Sequence, residues 1–374
     1  MSNRANRPCH AVGTPVTFLG ARMSPSRSIC IAATLGIATV AAWLFARFHT
    51  PLPWTLGPLL TVAVLGMLGA PVRTLPLLRD AGQLAIGIAL GLYFTPNVLR
   101  TIASLAPALA AGIAWALLLG YLFYRLLAAA SCAETPQDHA TAFFSAAIGG
   151  ASEMVVLGER HGGRIDRIAA AHSLRVLLVV LVIPIGLQWA GLRGIDLTPP
   201  GPEQFRLGGL LWLGALGLAG ALLLRWLRLP NPWVLGALTV TLVLTGSGIE
   251  LSTLPKELSN AAQLCIGVAL GTRFTPAFAR SAPRWLGTVA LGTFCMIASS
   301  TGFAWLLATA AGLHWVTVLL GTSPGGIAEM SITAKVMQLG VPVVTAFHVT
   351  RYVIVLLATA PLYRGLMARK RIAE

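Results

Sequence analysis

The feature that most constrains this chain is a series of apolar runs, each about 15 to 25 residues long, that recur from Ile29 to Leu366. One helical span of a bilayer needs about 20 apolar residues, and the chain holds roughly a dozen such stretches. Charged residues make up only 10% of the 374 residues, against about 25% in soluble proteins. A transmembrane barrel would need short strands of alternating polarity, which the sequence lacks. The sequence therefore predicts an all-α polytopic membrane protein whose main partner is the lipid bilayer.

The charged and sulfur-containing residues exclude several other classes of protein. The formal net charge is +15, from 27 basic and 12 acidic residues. Most of the bases lie in short loops and at the two ends of the chain, where they set membrane topology, so we expect no direct nucleic-acid partner. The five cysteines show no paired spacing, which favours small core residues over disulfides or a metal site.

The N-terminal part is read as a tail followed by a retained membrane span. Residues 1–28 are polar and basic and are predicted to form a cytoplasmic tail. The apolar run from Ile29 to Phe48 is longer than the core of a signal peptide and lacks a small-residue cleavage site. Met23 is an alternative to Met1 as the start of translation.

Four motifs occur twice in the same order, at offsets of 176 to 180 residues, which indicates an internal duplication. The longest reads QLAIGIALGLYFTP in its first copy and QLCIGVALGTRFTP in its second, with ten of 14 positions identical. The motifs begin at Pro53 and Pro232 (PW-x-L-G), at Gln83 and Gln263, at Gly149 and Gly325 (GG-x-x-EM), and at His172 and His348 (H-x-x-R). The predicted organisation is repeat 1 at 29–192, a linker at 193–206, repeat 2 at 207–366 and a basic C-terminal tail at 367–374.

The distribution of Lys and Arg distinguishes two arrangements of the repeats. With five crossings and one Gly-Gly-interrupted segment per repeat, the repeats are inverted, and 19 of the 27 bases lie inside and six outside, with Arg175 and Arg351 within spans. With six crossings per repeat the repeats are parallel, and the split is 14 to 11. The positive-inside rule favours the inverted arrangement, with both termini in the cytoplasm. We therefore expect about ten transmembrane helices plus two re-entrant or broken segments, as in many secondary transporters.

The first candidate site residues are the Gly-Gly pairs and the acids that follow them, namely Gly149, Gly150 and Glu153 in repeat 1 and Gly325, Gly326 and Glu329 in repeat 2. A charge at membrane depth costs several kcal/mol and is usually functional or paired. Helix ends at a Gly-Gly break offer carbonyl oxygens, which with a carboxylate suit Na⁺ or a proton, and N–H donors, which suit an anion. The alternative is that each glutamate caps the following helix and pairs with a nearby arginine.

The second set of candidates comprises His172, Arg175, His348 and Arg351, which lie in the last span of each repeat. Each histidine is three residues before its arginine, so the two share a helix face. An intramembrane arginine pairs either with a glutamate, as a structural clamp, or with a substrate carboxylate. The histidines are either proton relays or hydrogen-bonded core residues.

Gln83 and Gln263 complete the candidate set, because an amide in an apolar helix needs a partner, either another helix or a substrate. The glycines that follow them, Gly87-x-x-x-Gly91 and Gly267-x-x-x-Gly271, are typical of close helix packing. We interpret these glycines as packing positions.

With these doubled motifs, the chain resembles the AbrB duplication family of bacterial inner-membrane proteins. The resemblance covers nearly all of the chain after residue 28 and implies a location in the bacterial inner membrane. It also implies a role in regulating aidB expression, which would be indirect because no DNA-binding module is present. Some family members are labelled ammonia monooxygenase, but the seven histidines show no cluster that would hold copper.

The sequence thus leads to two functional hypotheses. The first is a secondary transporter or permease of a small solute coupled to H⁺ or Na⁺, and the second is a membrane sensor or regulatory protein without transport. An enzyme is not indicated, and no cofactor or metal is expected. The substrate and the oligomeric state, including a homo-oligomer, are left open.

Overall fold

The structure, a computed structural model, describes residues 25–194, 201, 204–280 and 283–373, and within these it contains sixteen helices and no strand. Before the linker lie α1 (Pro25–Arg47), α2 (Pro53–Met67), α3 (Pro76–Gly91), α4 (Pro96–Ser104), α5 (Ala106–Ala130), α6 (Pro136–Ala146), α7 (Ala151–Arg160) and α8 (Ile165–Trp189). After the linker lie α9 (Leu207–Trp226), α10 (Pro232–Gly246), α11 (Lys256–Gly271), α12 (Pro276–Arg280), α13 (Pro283–Ala311), α14 (Trp315–Thr322), α15 (Ile327–Val336) and α16 (Val341–Ala373). The prediction of an all-α chain is confirmed.

Six helices among the described residues are long and apolar enough to cross a bilayer, namely α1, α5, α8, α9, α13 and α16. Helices α3 and α4 form a pair bent by 86°, and α2 and α10 are shorter apolar helices. These lengths and compositions fit a membrane-embedded polytopic protein. The expected total of about ten crossings stays a prediction.

Several boundaries differ from the sequence-based expectation. Helix α1 begins at Pro25, inside the predicted tail, and α16 continues into the predicted C-terminal tail as far as Ala373. The short helices α4 and α12 follow the two Thr-Pro pairs and were not expected, although a proline at the first helical position favours such a start. Residues 1–24 and most of the linker lie outside the described residues.

The two Pro-Trp motifs start helices in the same way. Pro53 and Pro232 occupy the first positions of α2 and α10, where the missing N–H costs no hydrogen bond. Each follows a residue in the left-handed region, Leu52 with φ 51° and Asn231 with φ 49°. The chain therefore turns sharply after the first helix of each half and returns along it.

The helices form two bodies. In the first, which we call the scaffold body, α1, α2, α3, α9, α10 and α11 pack on one another, and in the second, the broken-helix body, α5 to α8 pack with α13 to α16. The two bodies share a continuous core of buried apolar side chains, and the closest backbone approaches between them involve mainly α3, α4, α15 and α16. Beside this shared core lies a polar cleft that both bodies line.

The repeated glycines hold the scaffold body together. A Cβ on Gly87 would lie 2.5 Å from the carbonyl oxygen of Val234 in α10, and one on Gly267 would lie 2.6 Å from that of Thr55 in α2. Contacts this close to backbone atoms admit only glycine. The interpretation of these glycines as packing positions is confirmed, and each seam joins a helix of one half to a helix of the other.

Candidate functional site

Both Gly-Gly pairs lie in breaks between two short helices. Helix α6 ends at Ala146 and α7 begins at Ala151, while α14 ends at Thr322 and α15 begins at Ile327. Glycine is a poor helix former, and Pro324 cannot donate the N–H that a continuous helix would require. The predicted interruption is therefore present in both halves.

The GG-x-x-EM motif has a steric basis at each of its fixed positions. A Cβ on Gly149 would lie 2.8 Å from Cε of Met154, so the methionine packs over the first glycine. A Cβ on Gly150 would collide with Oε2 of Glu153, because the carboxylate folds back over the second glycine. The second half repeats both relationships, with Met330 over Gly325 and Glu329 over Gly326.

Each glutamate lies in the first turn of the helix that follows the break. Glu153 and Glu329 are the third residues of α7 and α15, and both side chains are half-buried. The Glu329 carboxylate also accepts a hydrogen bond from its own backbone N–H. A negative charge is stabilised at a helix N-terminus, where N–H groups are unpaired and the helix dipole is positive. This position fits the capping alternative, which stays a prediction.

Arg175 and Arg351 hold the other side of each break, at the C-termini of α6 and α14. Nη1 of Arg175 donates to the carbonyl oxygens of Ser145 and Ala146, both at 3.3 Å, and Nη2 donates to that of Ala147 at 3.0 Å. A cation is favoured there because the last carbonyls of a helix have no partner within it.

Arg351 repeats this arrangement in the second half. Its Nη1 donates to the carbonyl oxygen of Ser323 at 2.5 Å, and its Nη2 donates to that of Gly325 at 2.6 Å. Both arginines are almost fully buried, at 2% and 5% exposure. The two guanidinium groups therefore keep the ends of the broken helices in place.

The two histidines orient the arginines. Nε2–H of His172 donates to the carbonyl oxygen of Phe144 at 2.9 Å, and that of His348 donates to Leu320 at 2.8 Å. The other ring nitrogen, Nδ1, accepts from Nη2 of the arginine three residues later, at 2.8 Å in both halves. These partners fix a neutral tautomer and occupy both ring nitrogens, so the structure favours a structural role over a proton relay.

The arginines and glutamates balance the charge of each break through the backbone. Among the described residues, neither Arg175 nor Arg351 forms an ion pair with Glu153 or Glu329. The Glu–Arg clamp, one of the two alternatives for these arginines, is thus absent from the described residues. Each arginine lies at the negative end of one helix and each glutamate at the positive end of the next, so each charge is placed where the helix dipole stabilises it.

Both breaks face a cavity of about 420 Å³ between the scaffold body and the broken-helix body. Eleven of the predicted site residues line it, namely Gln83, Gly149, Gly150, Glu153, His172, Arg175, Gly325, Gly326, Glu329, His348 and Arg351. The volume is in the range of small-molecule sites. Residues far apart in sequence, from both halves, therefore share one site.

The two glutamines differ in their positions. Gln83 lines the cavity. Gln263 lies away from it, with its Oε1 3.4 Å from the Thr55 hydroxyl, which donates to it, and its Nε2 3.5 Å from Ser259 Oγ. Gln263 thus joins α11 to α2, and of the two only Gln83 remains a candidate ligand.

Several cavity residues were not predicted as site residues: Arg79, Arg225, Trp233, Arg273 and Tyr352. One signal was available in the sequence, because Arg273 stands where the first copy of the longest motif has Tyr93. A charged residue that interrupts an otherwise matching repeat indicates a local requirement. Only the fold brings these side chains from α3, α9, α10, the turn after α11, and α16 to one place.

The helices and the cavity define a helical membrane-embedded protein with two broken segments at a shared site. A family model described as "Transition state regulatory protein AbrB" matches residues 8–131 and 54–367, and the chain belongs to this AbrB family.

Two curated relatives are similar over most of their length. "Uncharacterized protein YhjN" of Bacillus subtilis (strain 168) is 25% identical over 364 residues, covering 88% of this chain and 91% of the relative. "Putative regulator AbrB" of Escherichia coli (strain K12) is 28% identical over 330 residues, covering 84% and 89%.

Proposed function

We propose that the protein is a secondary transporter of a small solute in the bacterial inner membrane. The observation that carries the proposal is that one broken helix from each half meets the other at one polar cavity, which lies between the scaffold body and the broken-helix body. Such cavities at repeat interfaces are where secondary transporters bind substrate and coupling ion. Movement of the broken-helix body against the scaffold body would then expose the site to each side in turn.

The proposal includes a coupling role for Glu153 and Glu329. Each carboxylate lies at a helix start, where the helix dipole favours a negative charge, and protonation would leave this position open to another anion. A sodium site would need several oxygen ligands, but carbonyl oxygens beside both breaks already accept from Arg175 or Arg351. A second cation next to a guanidinium group is unfavourable. The geometry therefore favours H⁺ over Na⁺ as the coupling ion.

The proposed architecture is that of inverted repeats with both termini in the cytoplasm. Its support is the matching order of eight helices on each side of the linker, together with the Lys and Arg distribution. Each half contributes five crossings (α1, α2, α3, α5 and α8 in the first) and one re-entrant pair of short helices. The ten-crossing arrangement then places the mouth of the cavity that carries Arg79, Arg225 and Arg273 on the cytoplasmic side.

A membrane regulatory protein without transport is the second candidate. It is favoured by the descriptions of the family model and of the Escherichia coli relative, both of which refer to regulators. In this case the cavity would bind a signal molecule and pass a conformational change to a partner.

Solute flux into proteoliposomes tests the proposal. The interior holds a pH-sensitive dye, and each membrane-impermeant solute from a panel of anions, cations and neutral compounds is added in turn. We expect one solute class to acidify the interior through wild-type protein, and Glu153→Gln or Glu329→Gln to remove the pH dependence of solute uptake. Glu159→Gln, an exposed residue outside the cavity, is the matched control. If no solute moves faster than through protein-free liposomes, transport is refuted and the regulatory candidate stands.

A further inference from the structure

The cavity contains more positive charge than the two breaks require. The terminal nitrogens of Arg175 and Arg351 donate to backbone carbonyl groups, and three further arginines, Arg79, Arg225 and Arg273, line the same space. The walls carry five arginines and two glutamates, and Asp80 neutralises Arg79, so the balance of charge is still positive when both carboxylates are ionised. An excess of one sign in a confined site attracts ligands of the opposite sign.

Arg273 is the arginine most open to a ligand. Arg79 forms an ion pair with Asp80 at 2.9 Å, and Arg225 lies over the Trp233 ring at 5.9 Å. Arg273 is half-buried, and within the described part of the chain its guanidinium has no hydrogen bond and no ion pair within 4.0 Å. The carboxylate that interacts electrostatically with Arg273 is that of Glu329, which lines the same cavity. A free guanidinium matches a carboxylate or phosphate group.

Buried donors that lack an acceptor also line the cavity. Nε of Arg175 and Nε of Arg351 are buried and have no acceptor among the described residues. The Tyr352 hydroxyl, on a residue 8% exposed, lies beside the Glu153 carboxylate, which is the acceptor within its reach. An unsatisfied buried donor costs about 1–3 kcal/mol, so such groups usually mark the place of a water molecule or a ligand.

We propose that the cavity binds a small oxyanion, a carboxylate, sulfonate or phosphate, between the N-termini of α7 and α15. Arg273 and the Tyr352 hydroxyl hold its oxygen atoms together with the N–H groups of the two helix starts, a geometry suited to anions. The proposal of an anion-binding site depends only on these side chains and helix ends. The statement that the bound anion is the transported substrate rests on the proposed function. Protonation of a glutamate would then favour the anion, because the ionised carboxylate repels the anion and lies at the same positive helix end.

The positions of these residues in the repeats support a ligand-binding role. By the motif offsets, Arg273 corresponds to Tyr93 and Tyr352 to Val176, while Arg79 corresponds to Ser259. Each of these side chains is thus present in one half and absent from the equivalent position of the other. Because the duplicated fold does not require these side chains, we infer that they serve ligand binding at this one cavity.

Binding to the purified full-length protein in detergent tests the site. The probes are succinate, benzenesulfonate and inorganic phosphate, with choline as the cationic control, measured by thermal shift and by titration calorimetry. At least one oxyanion should bind and choline should not, and raising the salt concentration should weaken binding. Arg273→Gln should weaken that binding about tenfold or more, as expected for a charge-assisted hydrogen bond. Tyr352→Phe should weaken it by a smaller factor, and Arg273→Lys should restore part of the affinity.

Arg284→Gln is the matched control, because Arg284 is exposed and lies outside the cavity. The probe that binds shows whether the site takes a carboxylate, a sulfonate or a phosphate. The proposal is overturned if choline binds and no oxyanion does, or if oxyanion affinity is the same in wild type, Arg273→Gln and Tyr352→Phe. Oxyanion binding without flux in proteoliposomes would support the site and refute the transporter, whereas flux of a cation without oxyanion binding would do the opposite.

Discussion

Nη2 of Arg351 lies 2.8 Å from Nδ1 of His348, and the same contact joins Arg175 to His172 in the first half. The imidazole is a spacer between the arginine guanidinium and the C-terminal end of a short helix. It accepts from the guanidinium on one side and donates to the last turn of a short helix on the other. Each His–Arg pair therefore connects the final span of its half to the end of a broken helix.

The first prediction concerns this spacer. His348 is fully buried, so His348→Ala leaves the Leu320 carbonyl and one arginine donor without partners. We expect the free energy of unfolding to fall by about 1–3 kcal/mol, measured by thermal denaturation in detergent. His314→Ala, at an exposed histidine before α14, serves as control and should change little. Equal melting temperatures for the two variants would refute the structural role of His348.

The second prediction separates direct from backbone-mediated charge compensation. If each glutamate paired directly with an arginine, Glu→Gln would strand a buried charge and cost several kcal/mol. Because the arginines donate to carbonyl groups instead, we expect Glu153→Gln and Glu329→Gln to cost only about 0.3–1 kcal/mol, the contribution of a charge at a helix terminus. Arg351→Gln should cost about 3 kcal/mol or more, since several hydrogen bonds from a charged group are lost.

Thermal denaturation of the three variants checks this ordering, with Glu159→Gln as the exposed control. The proposal that helix ends compensate these charges is wrong if Glu153→Gln or Glu329→Gln is as destabilised as Arg351→Gln.

The third prediction concerns the glycine seams of the scaffold body. In Gly267→Ala the new methyl group would lie 2.6 Å from the carbonyl oxygen of Thr55, and the backbone there cannot move without shifting α2. We expect a loss of about 1–3 kcal/mol, as in other overpacked sites. Gly302→Ala in α13 is the matched control, because nothing lies within 4 Å of its Cβ position, and it should be neutral or stabilising by up to about 1 kcal/mol. A seam variant as stable as this control would contradict the packing.

The fourth prediction tests the inverted arrangement. Arg125 lies near the end of α5, and His314 follows the end of α13, at corresponding places in the two halves. In a cysteine-free background, Arg125→Cys should react with a membrane-impermeant thiol reagent only from the cytoplasmic side and His314→Cys only from the opposite side. Both positions are exposed, so the reagent can reach them. Labelling of both from the same side would establish parallel repeats and exclude the inverted arrangement.

Much of the fold could be predicted from the sequence because its signals are local. The apolar runs determine where long helices form, since a buried backbone in lipid must satisfy its own hydrogen bonds. Gly149-Gly150 and Gly325-Gly326 determine where helices break, because glycine weakens a helix at any position. The repeated motifs likewise indicated that both halves contribute equivalent residues, and eleven of the predicted site residues line one cavity.

The partners of the charged residues were decided by the tertiary structure alone. Sequence spacing places Arg175 near His172, but not against the carbonyls of Ala146 and Ala147, some 28 residues away. A carboxylate and a helix C-terminus are both suitable partners for an arginine, and only the packing of α8 on α6 selects between them.

The division between sequence and structure follows from the range of the interactions. Helix formation and helix breaks depend on neighbours within a few residues, and the chain by itself determined them. The glycine seams could be recognised from their repeated pattern, but the helices that they join lie in different halves. The cavity depends on how the scaffold body faces the broken-helix body, which brings Arg273 of the first to Glu329 of the second. Electrostatic forces act through space and not along the chain, so the anion-binding character of the site became visible only once the helices were in place.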